Sequence, residues 1–164
     1  MSEKNLVLLI DDLPDSVRWI RAIALKRGYE VQNITDKKAA CEALARVRDG
    51  SLGVRLAVVD IMMSVASIWD LLGDETQRLD EAYFKDSRKS GIEICRYARE
   101  TLHLSQSELP MACYSVRDDD EVLKELKALG VPHHKKAPRG SNETLRQWLD
   151  ELLPNRAPPA AGGS

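Results

Sequence analysis

The feature that most constrains this chain is Leu56-Ala57-Val58-Val59-Asp60, an unbroken apolar run that ends on one carboxylate. So short a run, apolar at every position, reads as a strand buried on both faces, as in a parallel sheet covered by helices. Its terminal charge must then emerge where the sheet meets solvent, which makes Asp60 the first candidate for chemistry. Leu6 to Ile10 is a second run of this kind, and it ends on the adjacent acids Asp11 and Asp12. If the two strands are parallel neighbours, three carboxylates share one crevice. Hard divalent cations, Mg²⁺ in particular, take such oxygen donors together with phosphate oxygens and water.

The rest of the chain alternates in period. Val17, Ile20, Ile23 and Ala24 recur at helical spacing, with Asp15 placed to cap the start and Gly28 to end the helix. Tyr29 to Ile34 reads as a short strand. Thr35 or Asp36 then caps a helix that carries Ala39, Ala40, Ala43, Leu44 and Val47 and stops near Gly50. Gly91 to Leu102 is helical, Met111 to Tyr114 is a strand leading into Ser115, and Asp118 to Leu129 is a helix whose acidic first turn suits its dipole. His133 to Lys136 makes a poor strand before a last helix, Asn142 to Leu153, with Leu145, Trp148, Leu149, Leu152 and Leu153 on its apolar face. This alternation implies an α/β domain: a flavodoxin-like, doubly wound, five-stranded parallel sheet of order 2-1-3-4-5. That order sets the first and third strands side by side and brings Asp11, Asp12 and Asp60 to the carboxyl edge, where open α/β sheets bind ligands.

Composition narrows the function. With 24 basic and 26 acidic side chains the net charge is -2, so the chain offers neither a basic field for nucleic acid nor a charge excess for a membrane surface. Cys41, Cys95 and Cys113 are odd in number, widely spaced and set among apolar residues, which reads as a reduced core without metal-type spacing. The polar start lacks the apolar stretch of a signal peptide, no run approaches the roughly 20 residues of a membrane span, and the expected location is cytoplasmic. Residues 1–153 are read as the domain, and 154–164, rich in Pro, Ala and Gly, as a disordered tail.

Several of these residues form a known pattern: the acidic pair after the first strand, Asp60 followed by Ile61, Met62 and Met63, Ser115 after the fourth strand, and a lysine near a proline after the fifth. Together they resemble the receiver domain of two-component response regulators. The resemblance runs from about Leu6 to Leu153, apart from the segment after Met63, and keeps register without a gap from Pro110 through Ser115 to Gly130. It implies that Asp60 is the phosphoacceptor, taking a phosphoryl group from a sensor histidine kinase or a histidine phosphotransfer protein as an acyl phosphate. It further implies that Asp12 and Asp60 ligate Mg²⁺, with Asp11 acting directly or through water and the Met62 backbone carbonyl adding a neutral oxygen. Ser115 would hydrogen-bond one phosphoryl oxygen and the lysine would pair with another.

Counting from Gly130 as the family does lands on Ala137, so the site lysine is read as Lys136, with Lys135 the alternative. Adjacent strand residues point to opposite faces, so only one of them can reach the site. The aromatic position that moves with Ser115 falls on His134 or His133, of which His134 is the choice, and a histidine there would make the switch titratable. Met62 and Arg117, two residues beyond Asp60 and Ser115, are expected to tune the lifetime of the acyl phosphate by hindering or misorienting water.

The chain departs from the family pattern in two places. Ser64 stands where proline is usual, and Gly91, the glycine that opens the third helix, lies 31 positions after Asp60. The residues between, about 64–90, are read as a helical insertion between the third strand and third helix. They include Ile68, Trp69, Leu71, Leu72, Leu79, Ala82, Tyr83 and Phe84 at helical spacing broken at Gly73. The insertion is expected to be a lid or docking surface over the site, or a helix packed on the flank. The implied function is a phosphorylation-activated switch that catalyses only its own phosphorylation and dephosphorylation. It would signal to an unidentified downstream protein through the fourth helix, fifth strand and fifth helix, without binding nucleic acid or membrane. The alternative is a degenerate receiver that acts as a phosphorylation-independent adaptor through its insertion. An aspartate-nucleophile phosphohydrolase would carry an alternating acid pair after the first strand, and Leu13 breaks that pattern.

Overall fold

In a computed structural model that describes residues 4–63, 89–136 and 142–156, the chain has five strands: β1 (Leu6–Ile10), β2 (Glu30–Ile34), β3 (Val54–Val59), β4 (Met111–Ser115) and β5 (His133–Lys135). They form one parallel sheet in the order β2-β1-β3-β4-β5, the doubly wound topology expected from the alternating pattern. A 3₁₀ turn (Pro14–Val17) leads into α1 (Arg18–Lys26); α2 (Lys37–Arg48), α3 (Ser90–Arg96), α4 (Asp120–Ala128) and α5 (Asn142–Leu152) complete the helices of the described residues.

The strand period of two divides the apolar residues between two cores. Leu8, Ile10, Ala57, Val59, Met111 and Cys113 pack with α2, α3 and α4, whereas Val7, Leu9, Leu56, Val58 and Ala112 pack with α1 and α5. Both faces of the central strands are therefore dry, which is why their sequences are continuously apolar. The pairing of Ile10 with Val59 ends β1 and β3 level with each other, and the Asp60 amide donates to the Ile10 carbonyl at 2.9 Å. The acids that follow thus leave the sheet at one edge.

Local chemistry shifts some boundaries. Asp15 does not cap α1: it lies within the 3₁₀ turn that Pro14 opens, and Leu13 takes the cap position with no side-chain hydrogen bond. Asp36 rather than Thr35 caps α2, accepting from the Ala39 amide at 2.8 Å. The third helix does not run as a uniform α-helix to Leu102; α3 passes into a π-helical turn (Tyr97–Thr101), beside which the Arg99 guanidinium donates to the carbonyls of Leu104 and Leu109 at 2.7 and 3.1 Å.

Arg27 holds the end of α5 by donating to the carbonyls of Leu149 and Leu153 at 2.8 and 2.6 Å, and it also pairs with Asp150. The Tyr29 hydroxyl donates to the Pro154 carbonyl at 2.7 Å, and the Arg156 amide to the Arg27 carbonyl at 3.3 Å. Residues 154–156, expected in the tail, are thereby tied to the turn between α1 and β2. The rest of that tail, 157–164, and the expected insertion as far as residue 88 lie outside the described residues. All three cysteines are free; Cys95 and Cys113 are buried with their sulfurs 3.9 Å apart. Among the described residues no helix is long and apolar enough to cross a membrane.

Candidate functional site

Asp11 and Asp12 follow β1 and Asp60 follows β3, and the three present carboxylate oxygens within 4.8 Å of one another. Asp11 is 1% and Asp60 8% exposed. Carboxylates buried this closely need a counter-charge, and Lys136 supplies it: its Nζ donates to Asp11 Oδ2 at 2.6 Å and to Asp60 Oδ2 at 3.2 Å. Of the two candidate lysines, Lys136 reaches the acids, while Lys135 pairs with Asp118 at 2.8 Å on the exterior. The Lys136 amide donates to the Ser115 carbonyl at 2.8 Å, which fixes where its side chain starts.

The remaining oxygens are also engaged. Asp11 Oδ1 accepts from the Leu13 amide at 2.8 Å, and its Oδ2 accepts from the Ser16 hydroxyl at 2.6 Å. Asp60 Oδ1 accepts from the Met62 amide at 3.3 Å. Burial pushes the Asp60 carboxyl above its ordinary value, the charge of Lys136 works against that, and the negative charge of Asp11 adds to it. Ser115, fully buried, accepts from the Arg117 amide at 3.3 Å, and its hydroxyl works against the rise at Asp60. Burial alone would lower the Lys136 ammonium, but Asp60 and Asp11 outweigh it and raise its pKa above the ordinary lysine value. The site holds a charged ammonium among three acids.

Gly91 shapes the floor of the site. Its amide donates to the Ile61 carbonyl at 3.0 Å, and a Cβ at this position would fall 2.6 Å from Ile61 Cα and 2.7 Å from the Asp60 carbonyl carbon. The start of α3 therefore rests on the Asp60–Ile61 peptide itself, and only glycine allows so close an approach.

One expected position is placed differently from the reading of the sequence. Cys113 pairs with His133 and Tyr114 with His134, so His133 shares the α4 face with Cys113 and Ser115 whereas His134 faces α5. The His134 ring lies 5.0 Å from Trp148 and 5.9 Å from Tyr114. The position on the Ser115 face, expected at His134, is thus occupied by His133, because one step along a strand exchanges faces. His133 lines a cavity of about 330 Å³ with Leu123, Leu126, Lys127 and Val131, and its Nε2 is buried without a partner. Burial lowers its pKa, opposed by a hydrogen bond to the Arg117 backbone. Arg117, expected to act on water near Asp60, directs its Nε to Asp119 Oδ2 at 2.6 Å, beside the cap of α4. The Met62 side chain is 41% exposed at the rim.

Ser16 was not legible as a site residue. It sits five positions after Asp11 in the 3₁₀ turn, a spacing that neither helix nor strand periodicity singles out.

The donor set fits a hard divalent cation, since every side-chain ligand available is a carboxylate oxygen. No protein-family model and no curated protein sequence matches the chain. Solved structures do. The phosphorylated cyanobacterial phytochrome response regulator RcpA aligns over 96% of this chain and 99% of its own, at 14% identity and a TM-score of 0.63. The Mn²⁺-bound form of response regulator Rcp1 aligns over 95% of this chain and 99% of its own, at 16% identity and a TM-score of 0.61. Chemotaxis protein CheY4 of Vibrio cholerae aligns over 92% of this chain and 99% of its own, at 22% identity and a TM-score of 0.58. With this coverage and the same sheet order, the chain has the fold of the response regulator receiver domain.

Proposed function

We propose that this chain is a phosphoacceptor switch in which Asp60 receives a phosphoryl group from a phosphohistidine of a sensor kinase or phosphotransfer protein. The observation that carries the reading is the cluster of Asp11, Asp12 and Asp60 with Lys136 set among them at the carboxyl edge of a receiver fold. An Asp60 oxygen attacks phosphorus, the bond from phosphorus to the donor imidazole breaks, and the released imidazole takes up a proton. Phosphoryl transfer asks the protein mainly to position groups and to balance charge on the transferring oxygens. Lys136, which donates to Asp60 Oδ2 at 3.2 Å, would pair with one of those oxygens, and the buried Ser115 hydroxyl at the end of β4 would hydrogen-bond another. Asp11, Asp12, Asp60 and the Met62 backbone carbonyl would hold Mg²⁺, which when bound neutralises charge on the phosphoryl oxygens.

Output would follow from Ser115. Its movement toward a phosphoryl group would vacate space on the α4 face, where His133 and the cavity lie. The altered surface of α4, β5 and α5 would then be read by a downstream protein. Met62 at the rim and Arg117 beyond Ser115 are the residues from which control of acyl phosphate lifetime is expected.

Intact mass after incubation with Mg²⁺ and acetyl phosphate, with Asp60→Asn as control, tests the assignment. A single phosphoryl adduct that the substitution abolishes is the expected result. No adduct with acetyl phosphate or with a phosphohistidine donor would refute the switch and leave the phosphorylation-independent adaptor.

A further inference from the structure

Ser16 is the one hydroxyl outside the expected site set that bonds to two members of the charged cluster among the described residues. Its Oγ donates to Asp11 Oδ2 at 2.6 Å and accepts from Lys136 Nζ at 3.1 Å. Three donors thus converge on Asp11: the Leu13 amide on Oδ1, and the Ser16 hydroxyl and Lys136 ammonium on Oδ2. A divalent cation that used this carboxylate would have to share it with all three. Lys136 can follow the field of whichever acid is free, because its stem is flexible. Ser16 cannot follow, since the 3₁₀ turn that Pro14 opens fixes its backbone five residues beyond Asp11.

We propose that Ser16 is a positioning residue that holds Asp11 against Lys136, and so sets how readily the acidic cluster exchanges its internal ammonium for a divalent cation. The inference rests on the reading of this cluster as a cation site and adds the element that opposes cation entry. With Ser16 in place, Asp11 is held by a short hydrogen bond and a buried ion pair that share one oxygen. Without the hydroxyl, Lys136 loses an acceptor and Asp11 a donor, and the carboxylate is freer to turn toward a metal. Charge-assisted hydrogen bonds of this length are among the stronger ones in proteins. With Lys136 still present to offset part of the change, Mg²⁺ and Mn²⁺ should bind roughly five- to tenfold more tightly to Ser16→Ala.

Calorimetric titration of the full chain with Mg²⁺ and with Mn²⁺ tests this, using wild type, Ser16→Ala, Ser16→Thr and the Lys136→Gln background. The expected pattern is tighter binding in Ser16→Ala, wild-type affinity restored in Ser16→Thr, and a much smaller Ser16→Ala effect once Lys136 is already Gln. A role in folding alone would lower thermal stability without producing that rescue or that coupling. Wild-type binding left unchanged or weakened by Ser16→Ala overturns the positioning role while the cation site stands. A wild-type chain that binds neither cation removes the cation site, and the role assigned to Ser16 goes with it.

Discussion

Gly91→Ala separates the geometry of the strand that ends at Asp60 from its proposed chemistry. The new methyl carbon would collide with the Asp60 carbonyl oxygen, its nearest neighbour, and would sit 2.6 Å from Ile61 Cα and 2.7 Å from the Asp60 carbonyl carbon, against a normal carbon–carbon contact of about 3.5–4.0 Å. The atoms it meets are backbone, so no rotamer change can relieve it, and α3 and the Asp60–Ile61 peptide must separate by at least about 1 Å. Overpacking of this kind costs about 1–3 kcal/mol. The helix preference of Ala over Gly returns at most about 1 kcal/mol, and less in a first turn, so a net loss of about 1–2 kcal/mol is expected. The effect on function should be larger. The Gly91 amide to Ile61 carbonyl bond couples the two segments, so a displaced peptide carries the Asp60 carboxylate with it. A misplacement of about 1 Å from the line of attack can slow a positioned reaction by ~10²-fold. Urea unfolding measures the first effect, and the rate of adduct formation with acetyl phosphate at saturating Mg²⁺ measures the second. A variant with unchanged stability and unchanged rate would show that α3 can shift without moving Asp60, and the positioning argument would fail.

Further outcomes follow from other contacts. Arg27→Ala removes the donor to two carbonyls at the end of α5 and should cost about 2 kcal/mol. In a chain of this size that lowers the melting temperature by about 5 °C, and a shift under about 1 °C would refute the clamp. Lys136→Met strips the counter-charge from two buried acids and should destabilise the fold at neutral pH by about 3 kcal/mol. Lys135→Met loses one exposed pair and should change stability by less than about 0.5 kcal/mol, so equal effects would contradict the placement of the two lysines. Because burial raises the Asp60 carboxyl, folded chains take up its proton at a pH where unfolded chains are still ionised. Asp60→Asn should therefore be more stable than wild type at neutral pH in the presence of chelator, with the advantage shrinking as pH falls through the carboxylate range; a constant difference would be inconsistent. His133 has the opposite sign: its lowered pKa lets the unfolded chain protonate first, so stability declines as pH falls below the ordinary histidine value. His133→Phe should flatten that decline in denaturant titrations across the same window, whereas an undiminished decline would place its origin elsewhere.

The sequence by itself determined the sheet and its acidic edge. Leu6–Ile10 and Leu56–Val59 are apolar at every position because both faces of a central parallel strand are covered, and this requirement is legible residue by residue. Once those strands are neighbours, Asp11, Asp12 and Asp60 must meet, since Asp11 and Asp60 are each the first polar residue past the end of a buried run and Asp12 directly follows Asp11. Side-chain direction within the shortest strand was not legible. His133 and His134 differ by one step, β5 has only three residues, and which ring faces α4 depends on its register with Cys113 and Tyr114. The distinction between Lys135 and Lys136 has the same cause: only the chain's exit from β5 sends one ammonium inward to the acids and the other out to Asp118. Ser16 meets Asp11 through a tight turn and Lys136 across a long sequence separation, and Gly91 meets the Asp60–Ile61 peptide through a close helix contact; none of these has a periodic signature. Periodicity reports which residues are buried. Which polar groups meet at the edge of the sheet is decided by register, turns and close packing, which exist only in the folded chain.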